Sequence, residues 1–194
     1  REGAFDEVLH WFDPSLVALA SLHPTHLGWL LKPHMIAAAA ATSSAPFVFF
    51  DADTLIEDEA VAHLFALLDD SHGPSFFAAP EVETSRSRRA LGGTPIYNSG
   101  VVGLRMSDPS TAELLRRWQL WSRLIACTLP ERMNRDPPHA PARLGRLAKW
   151  DLATNDQFGL AQLVTPAGFT HQALLGRGFR PHTLPSAFNA RDPR

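Results

Sequence analysis

An α/β fold with a mostly parallel sheet flanked by helices is predicted by three observations. Short apolar runs rich in β-formers recur along the chain, at 47–50, 76–79 and 101–104. Segments with helical spacing lie between and after them, so strands alternate with helices. The first run, Phe47-Val48-Phe49-Phe50, leads straight into Asp51-Ala52-Asp53-Thr54. A run this apolar reads as a strand buried on both faces, as in the middle of a parallel sheet.

The elements follow in chain order. Residues 1–24 carry Phe5, Val8, Leu9, Trp11, Phe12, Leu16 and Leu19, interrupted at Pro14, and read as short helical or loop pieces. Residues 27–41 read as a helix with Pro33 in its first turn. Thr42 to Pro46 is a loop before the first strand. Asp58 to Asp70 is a helix, with Val61, Leu64, Phe65 and Leu68 at helical spacing, ended by Ser71-His72-Gly73-Pro74. Phe76 to Ala79 is a second strand, and the Arg-rich, Gly-containing stretch from Glu83 to Gly93 is a loop. Tyr97-Asn98-Ser99-Gly100 leads into a third strand at 101–104. Asp108-Pro109-Ser110 starts a helix to about Ile125. Residues 129–146, with four prolines and many charges, read as an irregular insertion. Asn155-Asp156-Gln157 opens a short helix, and 180–186 holds a further strand.

Bulk composition bounds the function. The length of 194 residues predicts one domain spanning 1–194, or one and a fragment of another, with enough chain for a sizeable core. The net charge of −2 advertises neither nucleic acid nor an anionic membrane as partner. A single cysteine, Cys127, allows neither an internal disulfide nor a thiolate zinc site. No apolar run reaches the length of a membrane span. Lysine occurs only at 32 and 149, every other basic residue of the 18 being arginine, which singles out each lysine. The nine histidines show no ligand spacing, and Trp118 and Trp121 read as core packing on a helix.

The chemistry concentrates at the end of the first strand. Ligands of open α/β sheets bind outside the carboxyl ends of strands. Residues i and i+2 of an extended segment face the same way, so Asp51 and Asp53 can address one ligand. Hard carboxylate oxygens suit Mg²⁺ or Mn²⁺, which in turn bind phosphate oxygens. From these residues alone three readings stay open: a metal-binding Asp-x-Asp, a phosphatase nucleophile, and a solvated strand end with turn-forming Asp and Thr.

Three further segments narrow the choice. The order Leu31-Lys32-Pro33, Phe50-Asp51-Ala52-Asp53, Tyr97-Asn98-Ser99-Gly100-Val101 and Asn155-Asp156-Gln157 resembles the GT-A fold nucleotide-diphospho-sugar glycosyltransferases, closest to the glycogenin-like and related retaining families, over about residues 27–190. The resemblance implies a Rossmann-like sheet and transfer of a sugar from a nucleoside-diphosphate sugar to an acceptor hydroxyl on a glycan, protein or small molecule. It implies Mn²⁺ or Mg²⁺ as cofactor, with Asp53 on the ion and Asp51 on the ion or the donor ribose. Lys32 is expected to reach the donor. Asn98, Ser99 and Gly100 are expected to wall the sugar pocket, the amide offering donors and an acceptor and the glycine a close backbone approach. Asp156 is expected at the reacting centre, with Gln157 beside it on the substrate. If the protein is eukaryotic, the resemblance implies the Golgi lumen, behind an anchor outside this sequence.

Two competing functions are weighed against this. The same four residues at 51–54 are set beside the Asp-x-Asp-x-Thr motif of haloacid-dehalogenase-type phosphatases, with Asp51 as nucleophile. Those enzymes need a late acidic pair, and Asp192 is the only acidic residue after Asp156. A non-catalytic binding or scaffold protein of transferase-derived fold is the other. The family's first βαβ unit and its late His-x-x-Gly-x-Lys segment have no counterpart here, so the chain is expected to be part of a longer protein, with the fold incomplete at both ends.

Overall fold

A computed structural model describes residues 13–21, 27–52, 54, 60–80, 97–134, 156–164, 178–185 and 188. In chain order they form α1 (Pro14–Ser21), α2 (Leu27–Ala40), β1 (Phe47–Phe50), α3 (Ala60–Asp69), β2 (Phe76–Pro80), β3 (Tyr97–Leu104), α4 (Pro109–Asn134), α5 (Asp156–Val164) and β4 (Pro181–Thr183). The α/β class holds. The predicted loop at 83–93 and Asp58 lie outside the described residues.

The sheet is mixed, with strand order β1-β3-β2-β4. β3 runs antiparallel to both β1 and β2, and only β2 and β4 pair in parallel. The expected mostly parallel sheet is therefore corrected. Apolar runs report burial but not strand direction, and β3 lies antiparallel between two strands that precede it. Burial also departs from expectation. β1 is half-buried at each of its four positions and ends the described strand order, rather than being covered on both faces in its middle. The two strands buried most completely are β2 and β3.

Side chains alternate across the sheet with the two-residue period of a strand. Phe76 and Ala78, with Val102 and Leu104, face the larger core, built with Ile36, Leu114, Trp118, Leu160 and Val164 of α2, α4 and α5. Phe77, Ala79 and Val101 face the other side, under Leu64 and Leu68 of α3. Phe47 and Phe49 of β1 join the first core, and Val48 and Phe50 the second. Helices thus cover both faces of one sheet. Phe76 meets Tyr97 edge to face at 6.2 Å between centroids, within the favoured range for aromatic pairs.

Helix ends explain where the sequence expectations shifted. Pro14 opens α1 rather than interrupting it. Asp13 Oδ1 accepts from the N–H groups of Ser15 and Leu16, both at 3.1 Å, which is an N-cap followed by proline at the first helical position. Asp108 does the same for α4, accepting from Ser110 N–H at 2.9 Å and from its hydroxyl at 2.5 Å. Pro33 is not in a first turn. It lies inside α2, where it cannot donate to the carbonyl four residues back and its ring crowds that carbonyl. α4 continues well past Ile125, so 129–134 of the expected irregular insertion is helical, and 135–146 lies outside the described residues. A proline at 130 reads as a breaker, yet α4 runs past it to Asn134.

α3 is closed by a buried guanidinium. Arg105 Nε donates to the Leu68 carbonyl at 2.9 Å, Nη1 to that of Ser71 at 3.0 Å, and Nη2 to that of Asp70. A cation at the helix C-terminus satisfies orphan carbonyls and complements the macrodipole. Gly73 is required beside it, since a Cβ there would stand 2.4 Å from the Leu67 carbonyl oxygen.

Candidate functional site

The site forms where β1 ends beside β3. The β1–β3 register pairs Phe50 with Val101, and Asp51 N–H continues it by donating to the Gly100 carbonyl at 2.8 Å. Asp51 therefore stands opposite Gly100, on the face of the sheet that Phe49 shares and α2 covers. On its other edge β3 slips against β2. Ala78 pairs with Val102 but the adjacent Ala79 pairs with Asn98, so Ser99, Gly100 and Val101 bulge out of that ladder. Bulges re-aim side chains, and here the bulge falls on the Asn98-Ser99-Gly100 segment. Asn98, Ser99 and Gly100 lie within β3, not in a turn before it.

Lys32 reaches this point from α2. Its Nζ donates to Asp51 Oδ2 at 2.8 Å and to Ser99 Oγ at 3.1 Å, and lies 5.7 Å from the centroid of the Phe49 ring. The Lys32 side chain is 14% exposed and that of Asp51 30%, so the ion pair is partly withdrawn from water yet open on one side. Asn98 Oδ1 accepts from the Gly100 N–H at 2.6 Å. Gly100 leaves a small cradle: a Cβ there would stand 2.7 Å from Asn98 Oδ1 and 3.1 Å from Asp51 Oδ2. Lys32, Asp51, Asn98, Ser99 and Gly100, read from three separate segments of the chain, thus meet in one cluster.

The remaining residues divide. Gln157 is half-buried in the first turn of α5, which packs against α4, β3 and α2. Asp156 is the first residue of that helix, and its side chain lies outside the described set. Close packing fixes where α5 sits, for a Cβ on Gly159 would fall 2.5 Å from Trp121. Asp53 lies outside the described residues. Beyond it, Thr54 N–H donates to the Asp51 carbonyl at 2.9 Å. Phe49, beneath the ammonium, was not among the expected site residues. Alternation along 47–51 was the available signal, since it places residue 49 on the face of residue 51.

The donor set has a definite chemical character. The Asp51 carboxylate, the Asn98 amide oxygen and the Ser99 hydroxyl are hard oxygen donors beside the Gly100 cradle, and hard oxygens fit Mg²⁺ or Mn²⁺ better than softer metals. Among the described residues, no three His, Cys, Asp or Glu side chains gather into a ready cage. The phosphatase motif also fails in register, because its threonine position is occupied by Leu55 and Thr54 falls one residue early. No helix among the described residues is long and apolar enough to cross a membrane. Comparison with protein-family models, with curated proteins and with solved structures finds no match.

Proposed function

We propose that the chain is the catalytic domain of a metal-assisted glycosyltransferase that uses a nucleoside-diphosphate sugar. The observation that carries this reading is the convergence of Lys32, Asp51 and Asn98-Ser99-Gly100 on one partly open point at a strand end. A cation, a carboxylate and neutral sugar-binding groups within hydrogen-bond reach are what a phosphorylated sugar requires on one wall.

In this reading Asp51 and Asp53 hold Mn²⁺ or Mg²⁺. The bound ion supplies Lewis-acid stabilisation of the departing diphosphate. Lys32 adds a point charge to the same diphosphate. Asn98 and Ser99 orient sugar hydroxyls, and Gly100 admits the ligand to the backbone. Asp156, at the start of a helix packed on α2 and β3, acts at the reacting centre, and Gln157 orients the substrate beside it. A carboxylate there serves as general base in an inverting reaction, or steadies an oxocarbenium-like centre in a retaining one.

The test is hydrolysis of a panel of nucleoside-diphosphate sugars with added Mn²⁺, run beside a phosphomonoester. Slow, Mn²⁺-dependent donor hydrolysis that falls about a hundredfold or more in Asp51→Asn is the expected result. Turnover of the phosphomonoester alone refutes the reading in favour of a phosphatase. Neither activity, with no binding of nucleoside diphosphate, refutes it in favour of a scaffold.

A further inference from the structure

Lys32 stands where a second cation would compete with it. Its ammonium is 2.8 Å from Asp51 Oδ2, steadied by Ser99 Oγ at 3.1 Å and by the Phe49 ring. A divalent ion held by the same carboxylate would lie within a few ångströms of that ammonium. In a partly buried place such like charges repel strongly. The same ammonium attracts phosphate oxygens. Its stem is four carbons long and flexible, so the charge can move without the helix moving.

We propose that Lys32 is the resident counter-cation of Asp51 and makes the site admit a divalent cation and a diphosphate group together, each weakly alone. This rests on the metal-assisted reading above. A diphosphate draws the Lys32 ammonium off Asp51, and the freed carboxylate would then be able to hold a divalent ion beside it. Ser99 and Phe49 define the resting position of the ammonium. A ligand shifts such an equilibrium only through its differential affinity for the two positions, and each ligand strengthens the other by the same factor. The consequence is protection: Asp51 is kept paired, and the site does not accumulate metal without a donor to act on.

Binding of Mn²⁺, followed by electron paramagnetic resonance of the free ion, tests this without any turnover. Inorganic pyrophosphate is the second ligand, with its own Mn²⁺ equilibrium measured in protein-free buffer. The wild-type chain is expected to bind Mn²⁺ weakly, and about tenfold or more tightly with pyrophosphate. Lys32→Met is expected to bind Mn²⁺ alone at least about fivefold more tightly than wild type, with the pyrophosphate enhancement reduced. Lys32→Arg, which keeps the charge, is expected to restore weak Mn²⁺ binding. Circular dichroism checks the fold, and Lys32→Gln carries the same expectation if Lys32→Met does not fold. Unchanged or weaker Mn²⁺ affinity in the charge-removed variant, with pyrophosphate still enhancing wild-type binding, overturns the gate and leaves the metal-assisted reading standing. No Mn²⁺ binding by wild type at millimolar concentration, with or without pyrophosphate, overturns both.

Discussion

Acidification should destabilise this protein through His34 before most of the loss from its carboxylates sets in. His34 lies on α2 and is 3% exposed, hydrogen-bonded to the backbone of Gln119 on α4. Burial, followed by the nearby Arg123 guanidinium, pushes its pKa down from 6.5 to about 4, against the opposing pull of Asp13 and of the Gln119 bond. The unfolded ring takes up a proton below 6.5, whereas the folded ring does so only near 4. The unfolded state therefore binds more protons across that window, and stability falls as pH drops through it. At about 1.4 kcal/mol per pH unit, the gap from 6.5 to about 4 makes a loss of about 3 kcal/mol, a large share of a typical domain's stability. The carboxylates act later. Burial disfavours the charged form of Asp108, but hydrogen bonds from Ser110 and Ser75 and the charge of Arg105 hold its pKa below the usual value. Hydrogen bonds from Arg116 and Arg117 hold Glu113 down to about 2 despite some burial. Such groups contribute stability above their unfolded values of 3.8 and 4.5, and lose it progressively as pH falls from those values through their folded ones. Urea unfolding from pH 7 to 4.5 isolates the histidine. The wild type should lose most of that 3 kcal/mol between pH 6.5 and 4.5, and His34→Gln should show a flatter profile. The reasoning is refuted if both profiles have the same slope, or if nuclear magnetic resonance shows the His34 ring of the folded protein titrating at pH 6 or above.

Two glycines on β3 should respond differently to alanine. A Cβ on Gly103 would lie 2.1–2.4 Å from three atoms of the fully buried Phe77 ring, so Gly103→Ala should cost roughly 1–3 kcal/mol in urea unfolding. At Gly100 the tightest neighbour is the tip of the Asn98 side chain. Gly100→Ala should therefore leave stability within about 1 kcal/mol of wild type and weaken nucleoside-diphosphate binding in calorimetry; a large stability loss with unchanged binding would sink the placement of Gly100 at the site. Arg105→Met removes one donor each from the carbonyls of Leu68, Asp70 and Ser71, of which Asp70 keeps the Gly73 N–H and Ser71 keeps Arg180 Nη2, and should cost roughly 1–3 kcal/mol. Hydrogen exchange should quicken first in the last turn of α3, and uniform loss of protection across the sheet would argue against a local cap.

The succession of strands and helices was legible along the chain, because apolar spacing is a local record of which face is buried. Phe76-Phe77-Ala78-Ala79 and the helix through Leu64 and Leu68 were legible for that reason. The sequence also singled out Lys32, Asp51, Asn98, Ser99 and Gly100 through rarity, motif order and composition. That Lys32 pairs with Asp51 across 19 residues and with Ser99 across 67 emerges only from the folded chain. Nothing local encodes such distances. They follow from the antiparallel register that sets Gly100 opposite Asp51, and from the β3 bulge at Ser99, Gly100 and Val101. Strand direction was misread for the same reason: burial pattern is blind to the sense of the chain. Helix ends were misread where proline carries two meanings, opening α1 at Pro14 behind the Asp13 cap yet lying inside α2 at Pro33. Which meaning applies depends on the packing around the residue, and packing exists only once the chain has folded.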